Sequence, residues 1–266
     1  MEFINISTFP KMLLQAVDKV IKNKDNMNKI NVYPIPDSDT GDNLENTLLG
    51  IKNILENKKS DSGRASLARM TDVILKSVFE NSRGNSGIMM AAYLKGFLES
   101  LENAGKVSIS DFAKASKNGF DAARKSVGKP VSGTMLDVMS AFAETLKVDS
   151  FYNSTQKVKA ALFDTENKLK VLKENHVVDA GALGFTYFVL GLYEGLSNKK
   201  LDLEVSNMKP KIKKDKTDLF HEVVFVIRKT SFSSIEIKEM LNPLGESLDI
   251  IEIEEKMKIH IHTDKP

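Results

Sequence analysis

The chain has 266 residues, 41% hydrophobic and 28% charged, which reads as an ordinary soluble globular protein with room for one large domain, or one domain and part of another. A formal net charge of +2 makes no electrostatic case for nucleic acid, and the absence of cysteine excludes disulfides and restricts any bound metal to oxygen or nitrogen ligands. The opening residues lack the basic start and long apolar core of a signal peptide, and no apolar run nears the roughly 20 residues that span a bilayer, so the chain reads as cytoplasmic, without membrane insertion.

Residues 1–196 carry mostly helical period. Phe9, Leu13, Ala16, Val17 and Val20 make the first apolar stripe, with Thr8 as expected N-cap and Pro10 in the first turn. Leu44, Leu48, Ile51 and Leu55 make the second, and Leu67, Met70, Ile74 and Val78 the third. The fourth, from Ile88 to Leu101, is apolar nearly all round. Ser110 is the expected cap of a fifth helix carrying Phe112, Ala115, Phe120 and Ala123. Met135, Met139, Phe142 and Leu146 form the sixth, and Val158 to Leu172 the seventh. The eighth, Leu183 to Glu194, is apolar enough to be buried. Eight helices on short connections predict a mainly α bundle.

Residues 197–218 hold seven lysines and one proline, and read as a solvated linker. Residues 219–266 turn to strand patterns. Glu222–Ile227 reads as a strand, Ser233 or Ser234 starts a short helix, and 248–253 and 257–262 read as two strands around a turn at Glu254–Lys256. The segment reads as the start of a small α/β domain within a longer protein.

The chemistry is concentrated in loops before helices. In Asn31–Asn43, Pro34 and Pro36 fix an extended approach that delivers Asp37 and Asp39 just ahead of a helix start. Two such carboxylates suit a hard cation such as Mg²⁺, and the helix N-terminus suits phosphate. The plain alternative is that Asp39 or Asp42 caps the helix and Asp37 closes a turn. Ser82–Gly87, with Gly84, Asn85 and Ser86, precedes the fourth helix and is no P-loop, since no Gly-Lys-Ser/Thr closes it. Gly133, Thr134 and Met135 open the sixth helix, and Asp179 and Gly181 the eighth, where Asp179 could serve only as a cap. These are alternate helices. In an up-and-down bundle their N-termini gather at one end, a pocket for a Mg²⁺-bound polyphosphate.

The loops resemble the signature of the DhaL, or DAK2, domain, the nucleotide-binding part of dihydroxyacetone kinases, and are closest to the branch found in bacterial fatty acid kinases of the FakA type. Asn31-Val-Tyr-Pro-Ile-Pro-Asp-Ser-Asp-Thr-Gly41, Arg83-Gly-Asn-Ser-Gly87 and Val177-Val-Asp-Ala-Gly181 carry the match, which covers about residues 5–200. The resemblance implies an antiparallel eight-helix barrel over 1–196, a linker over 197–218 and part of a middle domain over 219–266. It implies a phosphotransferase binding ATP or ADP with two Mg²⁺ ions. Asp37 and Asp39 would be the catalytic metal ligands. Asn31 would stand where the dihydroxyacetone branch has a third Asp. Thr40, Gly41 and Asn43 would touch phosphates, with Asn85 and Ser86; Met135 would lie near the base, and Gly84, Gly87, Gly133, Thr134, Asp179 and Gly181 would also line the nucleotide site. Ser38 replaces the usual Gly, which costs energy if the backbone needs positive φ there. The tail pattern His260-Ile-His-Thr-Asp264 resembles a zinc-binding segment of the family's middle domain, so His260 and His262 are carried as a Zn²⁺ expectation, with His221 as a stand-in for the missing cysteine. Phosphate would pass to a fatty acid carboxylate, already ionised and needing no base, held by a separate fatty-acid-binding, FakB-like, protein. The ATP-binding part of a dihydroxyacetone (glycerone) kinase, a non-catalytic nucleotide-binding module and a plain helical scaffold remain alternatives, and a homodimer is left open.

Overall fold

The computed structural model describes residues 3–4, 6–57, 64–102, 107–146, 150–205, 208, 210, 221–228 and 230–266. Of the Lys-rich stretch expected as a solvated linker, residues 206–207, 209 and 211–218 lie outside the described residues, whereas 201–205 pack on the barrel: Val205 is buried in its core and the Leu201 N–H donates to Glu194 Oε1 at 2.7 Å.

Among the described residues, ten α-helices build the first part. They are α1 (Phe9–Lys22), α2 (Lys24–Ile30), α3 (Thr40–Asn57), α4 (Arg64–Asn81), α5 (Gly84–Glu99), α6 (Ile109–Ser126), α7 (Met135–Thr145), α8 (Phe151–Lys168), α9 (Lys170–Asn175) and α10 (Ala180–Ser197). Two short strands, β1 (Phe3–Ile4) and β2 (Val107–Ser108), pair antiparallel. Each predicted stripe faces inward: Phe9, Leu13, Ala16, Val17 and Val20 of α1 are all buried. Thr8 stands at the N-cap position of α1 but makes no capping bond, and Ser108, not Ser110, caps α6 by accepting from the Asp111 N–H at 3.1 Å. The predicted seventh helix is two: the chain turns extended at Leu169 and restarts as α9.

The ring closes because α10 returns to α1. Consecutive long helices pack in turn from α3 to α8, and α10 lies against α1, α7 and α8. Small residues make this possible: a Cβ on Gly191 would sit 2.4 Å from the Ala16 Cα. Residues Ala180–Leu192 are buried on every side of α10, as a helix apolar all round requires. Tyr93, Phe97, Phe112, Phe142, Phe151, Phe185 and Phe188 form a continuous aromatic chain through the core. No helix among the described residues is long and apolar enough to cross a membrane.

The tail is β3 (His221–Arg228), α11 (Ser234–Leu241), β4 (Glu246–Ile253) and β5 (Lys256–Thr263), an antiparallel sheet in the order β3-β5-β4. Ser233 caps α11 with Glu236 answering at the third position. Ile237, Leu248, Ile250, Met257, Ile259 and Ile261 form the tail's own small core, whereas Ile251 and Ile253 join the core of the barrel. Strand β4 is thus buried on both faces. Lys258 completes the docking: its Nζ donates to Phe79 O at 2.6 Å, Glu80 O at 3.0 Å and Ser82 O at 2.9 Å, satisfying carbonyls at and just beyond the end of α4.

Candidate functional site

The proline-fixed approach ends in a small polar network. Asn31 is 5% exposed; its side-chain N–H donates to Asp37 Oδ1 at 2.5 Å, and its Oδ1 accepts from Thr40 Oγ1 at 2.9 Å. The amide therefore steadies the first carboxylate. Ser38 adopts φ +60°, the left-handed conformation that Gly would take without strain. Asp39 directly precedes α3, and its Oδ2 accepts from Asn43 Nδ2 at 2.8 Å. The surrounding protein, then the charge of Asp39, pushes the Asp37 carboxyl up to about 7, although the side chain still meets solvent at the mouth. Two carboxylates held together against repulsion fit a hard dication that would relieve it.

Gly41 faces the other way. Its N–H donates to Asn28 Oδ1 at 2.6 Å, and a Cβ there would strike Lys24 O, so it packs α3 on α2 rather than reaching the mouth. Gly87 likewise sits against α3, and its N–H donates to Arg83 O at 3.1 Å. Gly133 shapes the turn before α7, where Asp137 Oδ2 accepts from the N–H groups of Gly133 at 2.7 Å and Thr134 at 3.2 Å, and Asp137 Oδ1 pairs with Lys168 at 2.8 Å. Asp179 caps α10 by accepting from the Ala182 N–H at 2.7 Å, and burial pushes its carboxyl up to about 7.

The remaining expected residues converge on two adjoining cavities. Asn31, Asp37, Asp39, Thr40, Asn43 and Gly84 line the smaller. Thr134, Met135, Asp179 and Gly181 line the larger, of about 720 Å³. Asn85, Ser86 and Pro34 border both. The starts of α3, α5, α7 and α10 thus share one end of the barrel and turn their positive dipole ends toward it, while some first-turn N–H groups are held within the protein, those of Gly41 and Asp42 by Asn28 Oδ1 and that of Ala182 by Asp179 Oδ1.

The tail reaches this mouth too. His262 and Glu222 line the smaller cavity, opposite Asp37 and Asp39. His260 lies behind, its Nε2 3.2 Å from His262 Nε2 and 3.2 Å from Glu222 Oε1. Register explains the set: Glu222 pairs with His262 and Val224 with His260, so Glu222 shares the histidines' face, while His221 opposes Thr263 on the other. His221 is therefore no stand-in for a cysteine. Among the described residues both histidine Nδ1 atoms are buried without a hydrogen-bond partner, where a zinc-bound imidazole would have one. Among the described residues no three His, Cys, Asp or Glu are arranged to hold a metal ion, so the zinc expectation finds no support. A Mg²⁺ site differs, because it needs only one or two carboxylates beside water and phosphate oxygens. Burial and the neighbouring His260 hold the His262 imidazole below its ordinary value.

Sequence reasoning missed Glu222, Asp249 and Asp137, and it read His262 either as a metal ligand or, with His260, as one of a pair of edge-strand histidines, whereas β5 is the central strand of the sheet. Asp249 is buried on β4, and its Oδ2 accepts from Asn85 Nδ2 at 2.8 Å. The Asn85 amide, expected at a phosphate, is here given to the tail.

Fold and site together define a closed helical barrel whose gathered helix starts face a carboxylate pair. The chain belongs to the DAK2 domain family, whose model matches residues 34–194, and residues 220–266 match the FakA-like middle domain of fatty acid kinases. An uncharacterized protein of Staphylococcus epidermidis is 28% identical over 99% of this chain and 51% of its own length. One from Staphylococcus aureus is 29% identical over 99% of this chain and 52% of its own length. The chain spans about half the length of these relatives. Its fold is similar to the dihydroxyacetone kinase of C. freundii, with TM-score 0.58 and 16% identity over 70% of this chain and 34% of that one. The same kinase in complex with AMP-PNP and Mg²⁺ gives TM-score 0.56 and 15% identity over 73% and 35%.

Proposed function

We propose that the chain is the Mg²⁺-dependent ATP-binding part of a cytoplasmic phosphotransferase that passes the γ-phosphoryl group to a fatty acid carboxylate presented by a separate lipid-binding protein. Residues 1–196 form its nucleotide-binding barrel, 197–218 a linker and 219–266 part of a middle domain. The observation that carries the reading is the pairing of Asp37 and Asp39 beside four gathered helix N-termini. Asp37 and Asp39 would hold Mg²⁺, with Asn31 and Asn43 fixing the two carboxylates from behind. When bound, the ion neutralises charge on the phosphates. The protein's own contribution is positioning: Ser86 and the first turns of α3 and α5 orient the phosphates, and Met135 lies at the nucleoside end. The middle-domain match favours an acyl acceptor.

One observation keeps a hydroxyl acceptor as a second reading. His262 brings to the cavity a group able to take a proton, which an alcohol requires and a carboxylate does not. Assays with dihydroxyacetone and with a loaded fatty-acid-binding protein separate the two. The site itself is tested by calorimetric titration with ATP. Asp37→Ala with Asp39→Ala is expected to abolish Mg²⁺-dependent binding at unchanged helical content. A double variant that still binds Mg·ATP overturns the reading.

A further inference from the structure

We infer that tail strand β4 is the second wall of the nucleoside half of the site, so that a bound nucleotide touches barrel and tail at once and steadies their docking. The inference rests on the nucleotide reading above and extends it to how the site is closed.

The larger cavity lies between the two parts. Met135, Leu136 and Val131 form its barrel side, and Gly245, Ser247 and Leu248 its tail side. About 720 Å³ stays open with the tail docked, within the usual size for a small-molecule site. The tail therefore encloses the site rather than filling it. The walls are mixed, with apolar surface from Met89, Met135, Leu136 and Leu248 beside polar groups such as Ser86 and Thr134, a lining that suits a flat base with its polar sugar. The carboxylate pair lies in the adjoining smaller cavity, so a ligand that places phosphates there and crosses Asn85 and Ser86 must set its nucleoside against β4.

The contacts at this seam register both walls. Asn85 Nδ2 donates to Asp249 Oδ2 at 2.8 Å and to Ser247 O at 3.1 Å, which fixes the residue dividing the two cavities. The Gly128 N–H donates to Leu248 O at 2.7 Å, and Lys238 Nζ donates to Val127 O at 3.0 Å. These bonds fix the start of the loop that runs on to Thr134 and Met135. Asp249 is 2% exposed, a carboxylate kept in the seam and hydrogen-bonded across it. It is a positioning residue: it holds Asn85 and the wall, and coupling of this kind works in both directions, since whatever binds both walls favours the docked state.

The test uses the full chain and two ligands, Mg·ADP and Mg·tripolyphosphate, the second carrying phosphates without a nucleoside. Asp249→Ala is expected to weaken Mg·ADP about tenfold, the size of one lost hydrogen bond to a charged group, and to leave tripolyphosphate little changed. Asp249→Asn, which keeps an acceptor for Asn85, is expected to restore most of the loss. In the unaltered chain, amide hydrogen exchange across residues 245–249 slows with Mg·ADP and not with tripolyphosphate. Binding of both ligands with exchange in β4 unmoved overturns the shared wall and leaves the nucleotide site standing. Tighter ADP binding by Asp249→Ala also overturns it, since the tail would then exclude the nucleotide. Binding of neither ligand by the unaltered chain overturns the nucleotide reading and this inference with it.

Discussion

The barrel and the tail solve the burial problem differently. The barrel has one continuous core in which α10 is buried on every side, and it confines its costly polar groups to one end. The tail has six residues of its own core and borrows the rest, sending Ile251 and Ile253 into the barrel and Lys258 to the end of α4. Among the described residues, five of the nine large apolar side chains standing in solvent, Val226, Phe232, Ile235, Met240 and Leu244, belong to this short segment, so the tail does not cover itself as the barrel does. Charge works in opposite directions in the two parts. At the barrel mouth it is buried at a cost to stability, as expected where groups are kept for a ligand. In the tail, buried hydrogen-bonded charge at Lys258 and Asp249 works with Ile251 and Ile253 to attach it.

The contrast is broken most sharply at Asp179. Burial raises its carboxyl to about 7, so the folded chain holds a proton there that the unfolded chain releases near its ordinary value of 3.8. Between those values the folded state binds more protons, and stability falls as pH rises from about 4 to about 7, then stays flat. Asp37, raised to about 7, adds to the same slope. Asp179→Asn keeps a cap oxygen for the Ala182 N–H but carries no charge. It is expected to exceed the parent in stability at pH 8, by up to about 4 kcal/mol, and to match it near pH 4. Denaturant unfolding at both values measures this, and equal gains or no gain at either pH would show that the mouth bears no such cost.

A smaller effect is expected where charge attaches the tail. Lys258→Met keeps most of the side-chain volume and removes the donors to Phe79 O, Glu80 O and Ser82 O. Docking should weaken by about 1–3 kcal/mol, the range for buried hydrogen-bond partners left unmade. Faster hydrogen exchange in β5 with an unshifted helical melting curve is the expected signature. Exchange that does not change would assign the attachment to Ile251 and Ile253 alone.

What could be read from the chain follows the same division. The long helices were legible because their apolar stripes repeat at helical spacing over about three turns or more. The carboxylates, amides and helix starts were legible because they lie close together in local loops. α2 was hidden: it has seven residues, follows α1 after Asn23 alone, and buries only Met27 and Ile30, too few to show a period. α9 looked like the end of α8, because Leu172 continues the stripe across the break at Leu169. The tail's share of the mouth was not legible. Glu222, Asp249 and His262 reach it through docking between segments more than 100 residues apart in sequence, and no local spacing encodes that. Gly41 and Gly87 sit in the first turns of α3 and α5 beside site residues, yet their lack of a side chain serves helix packing, a use that sequence position does not distinguish from ligand approach.

The mildest test lies at Ser38, where stability and site geometry meet in one residue. Its φ of +60° between the two carboxylates is a conformation that Gly adopts without the Cβ penalty. Ser38→Gly removes that strain in the folded chain but gives the unfolded chain more freedom, so the two effects partly cancel. The net gain is expected at about 0.5–1 kcal/mol, a rise of roughly 1–4 °C in Tm for a chain of this size. Its consequence for Mg·ATP affinity decides what the strain is for. If the turn only passes the backbone from Asp37 to Asp39, Gly should hold the same geometry and affinity should not move. If the stiffness of Ser is what keeps the carboxylates together, the variant should gain stability and lose affinity, and the barrel's polar mouth would then be strained for its ligand in backbone as well as in charge.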